Sequence, residues 1–299
     1  MKVRLMSEIA ASDQSEELYA SPPVQRVARL LRRIAEGDAV TNMARTAREL
    51  GINRTTLLRL LHALEAERFI EPRAESGWRI GVGLITLTAQ AFFSDDLVQT
   101  AVPALTRLAE SLTLSAHLGV LDGREVVYLL RRVPNHAFAS NIRVGSRLPA
   151  HAANMGRIIL AYLPADRVER LYAGVDLRAV TPQTAVTPLQ LRAQLDADRE
   201  KGLAWSDGNY EPDISSVAAP IFDATNAPVA AINVTGQSTQ FEGNERRAKI
   251  GEAVEAAARE ISMRLGWHEP QNGNGRAHEE RLSGASELNR SSVREPSWT

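Results

Sequence analysis

Asn53-Arg54-Thr55-Thr56, with Arg59 about a turn and a half further on, gathers hydrogen-bonding side chains at what reads as the first turn of a helix. Guanidinium groups bind phosphate oxygens or the edge of guanine, hydroxyls reach phosphates, and a helix N-terminus itself attracts an anion. That is the chemistry of duplex recognition, with Arg73 and Arg79 on a following hairpin placed for the backbone or minor groove. The simpler alternative is a set of solvated arginines. A second stretch, Leu148-Pro149-Ala150-His151-Ala152-Ala153-Asn154-Met155-Gly156-Arg157, opens a helix with small residues. It suits either free amides offered to an anion or close helix packing. Asn233 and Thr235 lie two apart in a strand and so face one side. They suit a pocket with a few placed polar groups or, more simply, the solvent face of a sheet. Trp205-Ser206-Asp207-Gly208-Asn209-Tyr210-Glu211 and Ser215-Ser216-Val217-Ala218-Ala219-Pro220 are the remaining motifs.

Enzymatic constellations are weak. Six His are scattered at 62, 117, 136, 151, 268 and 278, and no P-loop, G-x-S-x-G or G-x-G-x-x-G occurs. Asp207 with Glu211 can be drawn as paired carboxylates and His151 with a serine as a hydrolase pair, but nothing fixes their geometry. With no Cys, thiolate chemistry and cysteine metal sites are excluded. No catalytic residue, metal site or cofactor is expected.

The elements that must position these groups follow from apolar spacing. Val24, Val27, Leu30, Leu31 and Ile34 mark an amphipathic first helix. Val40–Thr41 reads as a short extended link, Asn42 as the cap of a second helix and Asn53 as the cap of a third. Leu57, Leu60, Leu61 and Leu64 form the third helix's inner face. Phe69–Glu71 and Trp78–Ile80 read as a hairpin, so residues 21–81 form a winged helix-turn-helix. Residues 82–94 read as a linker helix, followed by a mixed helix-and-strand domain over 95–267. Strands are expected at Ser115–Leu121, Glu125–Arg132, Ala137–Val144, Ile214–Phe222 and Pro228–Thr235. Helices are expected at Asp95–Leu112, Met155–Leu163, Ala165–Tyr172, Pro188–Gly202 and Glu242–Leu265. Residues 1–20 read as a mobile arm and 268–299 as a disordered tail. Pro22–Ile80 holds 11 Arg, no Lys and 7 acidic residues, a balance of +4 in a chain of net charge −1. A basic head on an acidic body suits nucleic-acid binding. No apolar run approaches the ~18–20 residues of a membrane span, and no signal peptide is apparent, so a cytoplasmic location with no membrane partner is expected.

The order of these motifs resembles the IclR (isocitrate-lyase-regulator) family of bacterial transcriptional regulators. The likeness runs from about Pro22 to Leu265. It is carried by A-R-E-L-G-I-N-R-T-T-L-L-R-L-L-H-A-L-E, G-W-R-I-G, V-L-D-G-R-E-V-V-Y-L, R-L-P-A-H-A-A-N-M-G-R-I-I-L-A, G-L-A-W-S-D-G-N-Y-E-P-D-I-S-S-V-A-A-P-I-F-D and P-V-A-A-I-N-V-T-G. The resemblance implies an α+β chain, with the winged head joined by the linker helix to a C-terminal GAF-like α/β effector domain. It also implies homodimers or homotetramers. Its effector positions match Asn154, Met155, Ser206, Asp207, Ser216, Asn233 and Thr235. The chain departs at Asn53, where Pro is usual, at Thr46, where Leu is usual, and at Ser216, where some members have Cys. Met155-Gly156-Arg157 stands where a small residue, Gly and Lys are common. The expectation is a ligand-responsive regulator, a repressor by default, controlled by a carboxylate or aromatic metabolite. It would bind a double-stranded operator through Asn42, Asn53, Arg54, Thr55, Thr56, Arg59, Arg73 and Arg79. The alternative is an enzyme acting on a small acid, with the head used for oligomerisation.

Overall fold

The computed structural model describes residues 21–93, 96–134 and 142–269. The chain divides between Asp95 and Asp96 into two compact units.

The first unit begins with α1 (Pro22–Ala35), α2 (Met43–Glu49) and α3 (Arg54–Ala66). Leu30 and Ile34 of α1 meet Leu57, Leu61 and Leu64 of α3 in one buried cluster, which Ile70 closes from below. These are the three-and-four positions of two amphipathic helices. Val24 is the exception: at the first turn of α1 it is 64% exposed. Thr46 is fully buried, and its hydroxyl has no hydrogen-bond partner among the described residues. The position where the resemblance expects Leu thus carries an unsatisfied polar atom in this core.

Both asparagine caps form. Asn42 Oδ1 accepts from the Arg45 amide at 3.0 Å and Asn53 Oδ1 from the Thr56 amide at 2.7 Å. Asn53→Ala should therefore cost the head about 0.5–2 kcal/mol; an unchanged denaturant midpoint for the head's unfolding would contradict this.

Val40 is not the extended link read from the sequence. Its φ is +55°, and its side chain is buried in the helical core. The Asp38 carboxylate accepts the Val40 amide at 2.9 Å, and the wing's Trp78 amide donates to the neighbouring Ala39 carbonyl at 2.8 Å. Tertiary packing holds a β-branched residue in a region it normally avoids.

The wing is β1 (Ile70–Pro72) paired antiparallel with β2 (Trp78–Ile80). Gly77 is required where it turns: a Cβ there would strike the Ala39 carbonyl. α4 (Val82–Phe93) follows. Glu71 of the wing accepts from the Val82 amide at 3.0 Å through Oε1 and from Arg79 at 3.0 Å through Oε2.

The second unit is a three-layer α/β/α body. Six antiparallel strands run in the order β5 (Arg147–Pro149), β4 (Glu125–Arg132), β3 (Ser115–Asp122), β8 (Pro228–Gln237), β7 (Ile214–Phe222) and β6 (Ala204–Asp207). α5 (Asp96–Leu112) and α9 (Asn244–Arg264) cover one face. α6 (Asn154–Tyr162) covers the other, backed by α8 (Pro188–Lys201). α7 (Ala165–Tyr172) and a short 3-10 turn at Ser238–Phe241 complete the unit. Gly156 lets α6 sit close, because a Cβ there would collide with Ala150.

The expected strand Ala137–Val144 is a correction. Residues 142–144 are loop and turn, and the edge strand is instead Arg147–Pro149; residues 137–141 lie outside the described residues. Three residues of pairing with β4 leave no long alternating pattern to read. The arm at 1–20 and all but His268 and Glu269 of the 268–299 tail also fall outside the described residues.

Candidate functional site

In the head, the first turn of α3 is presented to solvent. Asn53, Arg54, Thr55 and Arg59 are exposed and Thr56 is half-buried. Arg54, Arg59 and Arg73 make no ion pair among the described residues, so their guanidinium donors are uncommitted. This contrasts with Arg33, which is paired to Asp38 and Glu49, and with Arg79, which is paired to Glu71. Asn42 and Asn53 already spend their side-chain oxygens as caps. What they leave for a duplex is an amide NH2 and the orientation of the helix start.

In the body, one sheet face carries an unusual row. His117, Asn233, Thr235, Ser216 and Ser206 sit on β3, β8, β7 and β6, and all are buried beneath α6. Asn233 and Thr235 are 2% and 4% exposed, so theirs is not a solvent face. Buried polar groups must be partnered, and these form a chain. His117 Nδ1 donates to Asn233 Oδ1 at 2.9 Å, Asn233 Nδ2 to Asn154 Oδ1 at 3.1 Å, and Asn154 Nδ2 to Ser216 Oγ at 3.0 Å. His117 Nε2 is left buried with no hydrogen-bond partner among the described residues. Burial above all, with a contribution from the charge of Arg131, pushes the His117 pKa down to about 4 against the help of Asn233.

Asn154, Ser206, Ser216, Asn233 and Thr235 line a pocket together with Tyr128, Leu148, Tyr210 and Glu211. The cavity measures about 30 Å³, room for one or two water molecules. Burial first, and then neighbouring Tyr210 and Glu211, raise the Tyr128 hydroxyl above its ordinary range. Tyr128 has no local signal as a site residue; Tyr210 and Glu211 belong to the polar stretch that follows Ser206, where Glu211 reads only as a possible partner of Asp207. The three arrive from β4 and the loop after β6. Only the fold brings them to α6.

Two expected pocket residues lie elsewhere. Met155 is fully buried in the apolar core, where its side chain meets Gly119; one step along a helix turned it away from Asn154. Asp207 lies on the opposite sheet face from Ser206, as alternation along β6 requires. Its carboxylate accepts from Ser215 Oγ at 2.8 Å and from both terminal nitrogens of Arg247 at 3.0 and 3.2 Å. Partial burial works to raise that carboxyl, but Arg247 and Ser215 outweigh it and hold it below the usual range. Arg247 also lies over the Trp205 ring, 4.3 Å from its centroid. This is a strut between β6 and α9.

A winged helix-turn-helix with an uncommitted basic first turn, in one chain with an α/β body, defines a DNA-binding transcriptional regulator. Residues 89–263 match the family described as "Bacterial transcriptional regulator IclR C-terminal", and residues 23–74 match the "IclR helix-turn-helix domain". The chain belongs to the IclR family. It is 32% identical over 221 residues to the uncharacterized HTH-type transcriptional regulator RhmR of Escherichia coli K12, covering 74% of this chain and 85% of that one. A crystal structure of a regulator of this family from Alicyclobacillus acidocaldarius superposes with a TM-score of 0.74 at 28% identity, covering 83% of this chain and all of that one. A homologue from Microbacterium hydrocarbonoxydans, solved in complex with 4-hydroxybenzoate, shares the fold with a TM-score of 0.72 at 24% identity, over 81% of this chain and 98% of that one. The curated relatives are transcriptional regulators, and this chain is a regulator rather than an enzyme. Among the described residues, no helix is long and apolar enough to cross a membrane.

Proposed function

We propose that the protein is a ligand-released repressor of the cytoplasm, controlled by a small organic acid bound in the body pocket. The observation that carries this reading is the buried polar row Asn233–Asn154–Ser216 lining a cavity, with His117 bonded behind it to Asn233. Its amides and hydroxyls are ordered before any ligand arrives, and preorganised polar groups around a cleft are what a specific small-molecule site needs. The cavity is too small for an organic acid as it stands. Binding must widen the cavity, which gives the ligand a differential affinity for two arrangements. The solved homologue bound to 4-hydroxybenzoate supports an acid as effector. A protein seated across an operator excludes other proteins from it, which favours repression over activation.

Asn53, Arg54, Thr55, Thr56 and Arg59 form the DNA-reading surface, with Arg73 on the wing reaching the backbone and Asn42 and Arg79 in supporting places. Two heads of a homodimer would read half-sites about one helical turn apart. Val82, Ile85 and Leu87 of α4 are 42%, 57% and 53% exposed, an apolar surface suited to joining two copies.

The test is fluorescence-anisotropy binding to the gene's own upstream DNA and to a scrambled fragment across a salt series. Tighter binding to the native fragment with a steep salt slope, reversed by an organic acid, is the expected result. Equal binding to both fragments would contradict it. In the same assay Arg59→Ala should lose about 1–3 kcal/mol of operator-over-random discrimination. A loss equal on both fragments would make Arg59 a phosphate contact instead.

A further inference from the structure

The described residues lining the body pocket include no lysine, arginine or histidine, and one carboxylate, Glu211. Glu211 is half-buried on the loop between β6 and β7, beside Tyr210 and within electrostatic reach of the Tyr128 hydroxyl. Tyr128 and Tyr210 both feel its charge. It is tied up in no ion pair with another described residue, unlike Asp207 on the far sheet face with its Arg247 partner. The lining therefore has two chemically distinct parts. The amide–hydroxyl chain around Asn154 and Ser216 offers both donors and acceptors. The Tyr128–Tyr210–Glu211 cluster ends in an anion that can only accept.

We propose that Glu211 is a specificity-determining residue of this pocket, selecting a small monocarboxylate that carries a hydroxyl group and rejecting dicarboxylates. The inference rests on the pocket being the effector site. The ligand hydroxyl donates to the Glu211 carboxylate, a charge-assisted hydrogen bond. A second carboxylate placed there meets a like charge with no cation among the described lining residues to offset it. At pocket distances and intermediate dielectric, that repulsion disfavours the dicarboxylate on the order of tenfold or more.

The test uses full-length protein and calorimetric titration with pairs that differ only in a terminal hydroxyl or carboxylate: 4-hydroxybutyrate against succinate, and 4-hydroxybenzoate against terephthalate. The hydroxy acid of at least one pair should bind the wild type at least about tenfold more tightly than its dicarboxylate. Glu211→Gln should shrink that ratio to about threefold or less while leaving the melting temperature unchanged, since the position is half-buried and the replacement isosteric. Equal or better binding of the dicarboxylates, a ratio unmoved in Glu211→Gln, or no binding in either pair would each overturn the proposal. Ser216→Ala separates the two levels. If hydroxy-acid affinity is unchanged in that variant, the pocket itself is not the site; if affinity falls while the Glu211→Gln ratio stays put, the pocket stands and the role of Glu211 does not.

Discussion

Asp198→Ala should destabilise the body by about 3–5 kcal/mol. Asp198 on α8 receives Arg157 Nε of α6 at 2.9 Å, with the two side chains 4% and 2% exposed. Gln194 donates to the other carboxylate oxygen at 3.1 Å, and a terminal nitrogen of Arg157 donates to the Trp205 carbonyl of β6. Desolvation raises the Asp198 carboxyl above its ordinary range and outweighs the pull of Arg157. The pair is therefore costly to bury and adds little net stability over well-packed apolar residues. Removing one partner is another matter, because it strands a guanidinium in a site closed to water. Urea unfolding followed by tryptophan fluorescence should show the loss in the body's transition, and the joint change Arg157→Met with Asp198→Leu should recover most of it. A single variant within about 1 kcal/mol of wild type would show that water reaches Arg157.

Acid should weaken the body through His117. The folded ring titrates near 4 against an ordinary 6.5. Above pH 6.5 both folded and unfolded chains hold it neutral, and its contribution is intact. Between 6.5 and 4 the unfolded chain takes up a proton that the folded chain refuses, so stability falls as pH falls, by about 3 kcal/mol across that window. Below 4 the folded ring also protonates and the slope from this group vanishes. Other groups titrate nearby, so the informative quantity is the difference from His117→Gln, which keeps a donor for Asn233 without the titration. Stability curves at pH 7, 6, 5 and 4 that run parallel for the two proteins would refute the assignment. A second proton would sit on Nε2, which has no partner among the described residues, and would leave the Nδ1 donation to Asn233 in place; the penalty is that of charging a buried ring.

The head was nearly all legible, because its information is local: apolar residues every three or four positions and two asparagine caps. Val40 was not, since no neighbour in sequence foretells that Asp38 and the docked wing will hold it at positive φ. In the body the central strands were read from alternation, while the short edge strand at 147–149 was too brief to carry any. Within the site, Asn233 and Thr235 were read correctly as sharing a face; whether that face was wet or dry depended on α6, which lies some 80 residues away in the chain. Asp207, which the resemblance alone places in the pocket, lies on the other sheet face from Ser206, because the two are adjacent in a strand, β6, that the sequence does not announce. Tyr128 carries no signal in the sequence, because long-range pairing alone brings it to Asn154, and Glu211 is legible only as a carboxylate near Asp207, not as a neighbour of Asn154.

Glu71 has a consequence for the mechanics of the head. One carboxylate holds both the wing, through Arg79, and the first amide of α4. A torque applied along α4 is thus handed to the wing at its root, and wing and helix turn together as a single lever arm. In the homodimer proposed above, the quantity left free to vary would be the separation and tilt of one head against the other, and stiffness inside each head would make the distance between them a readable signal.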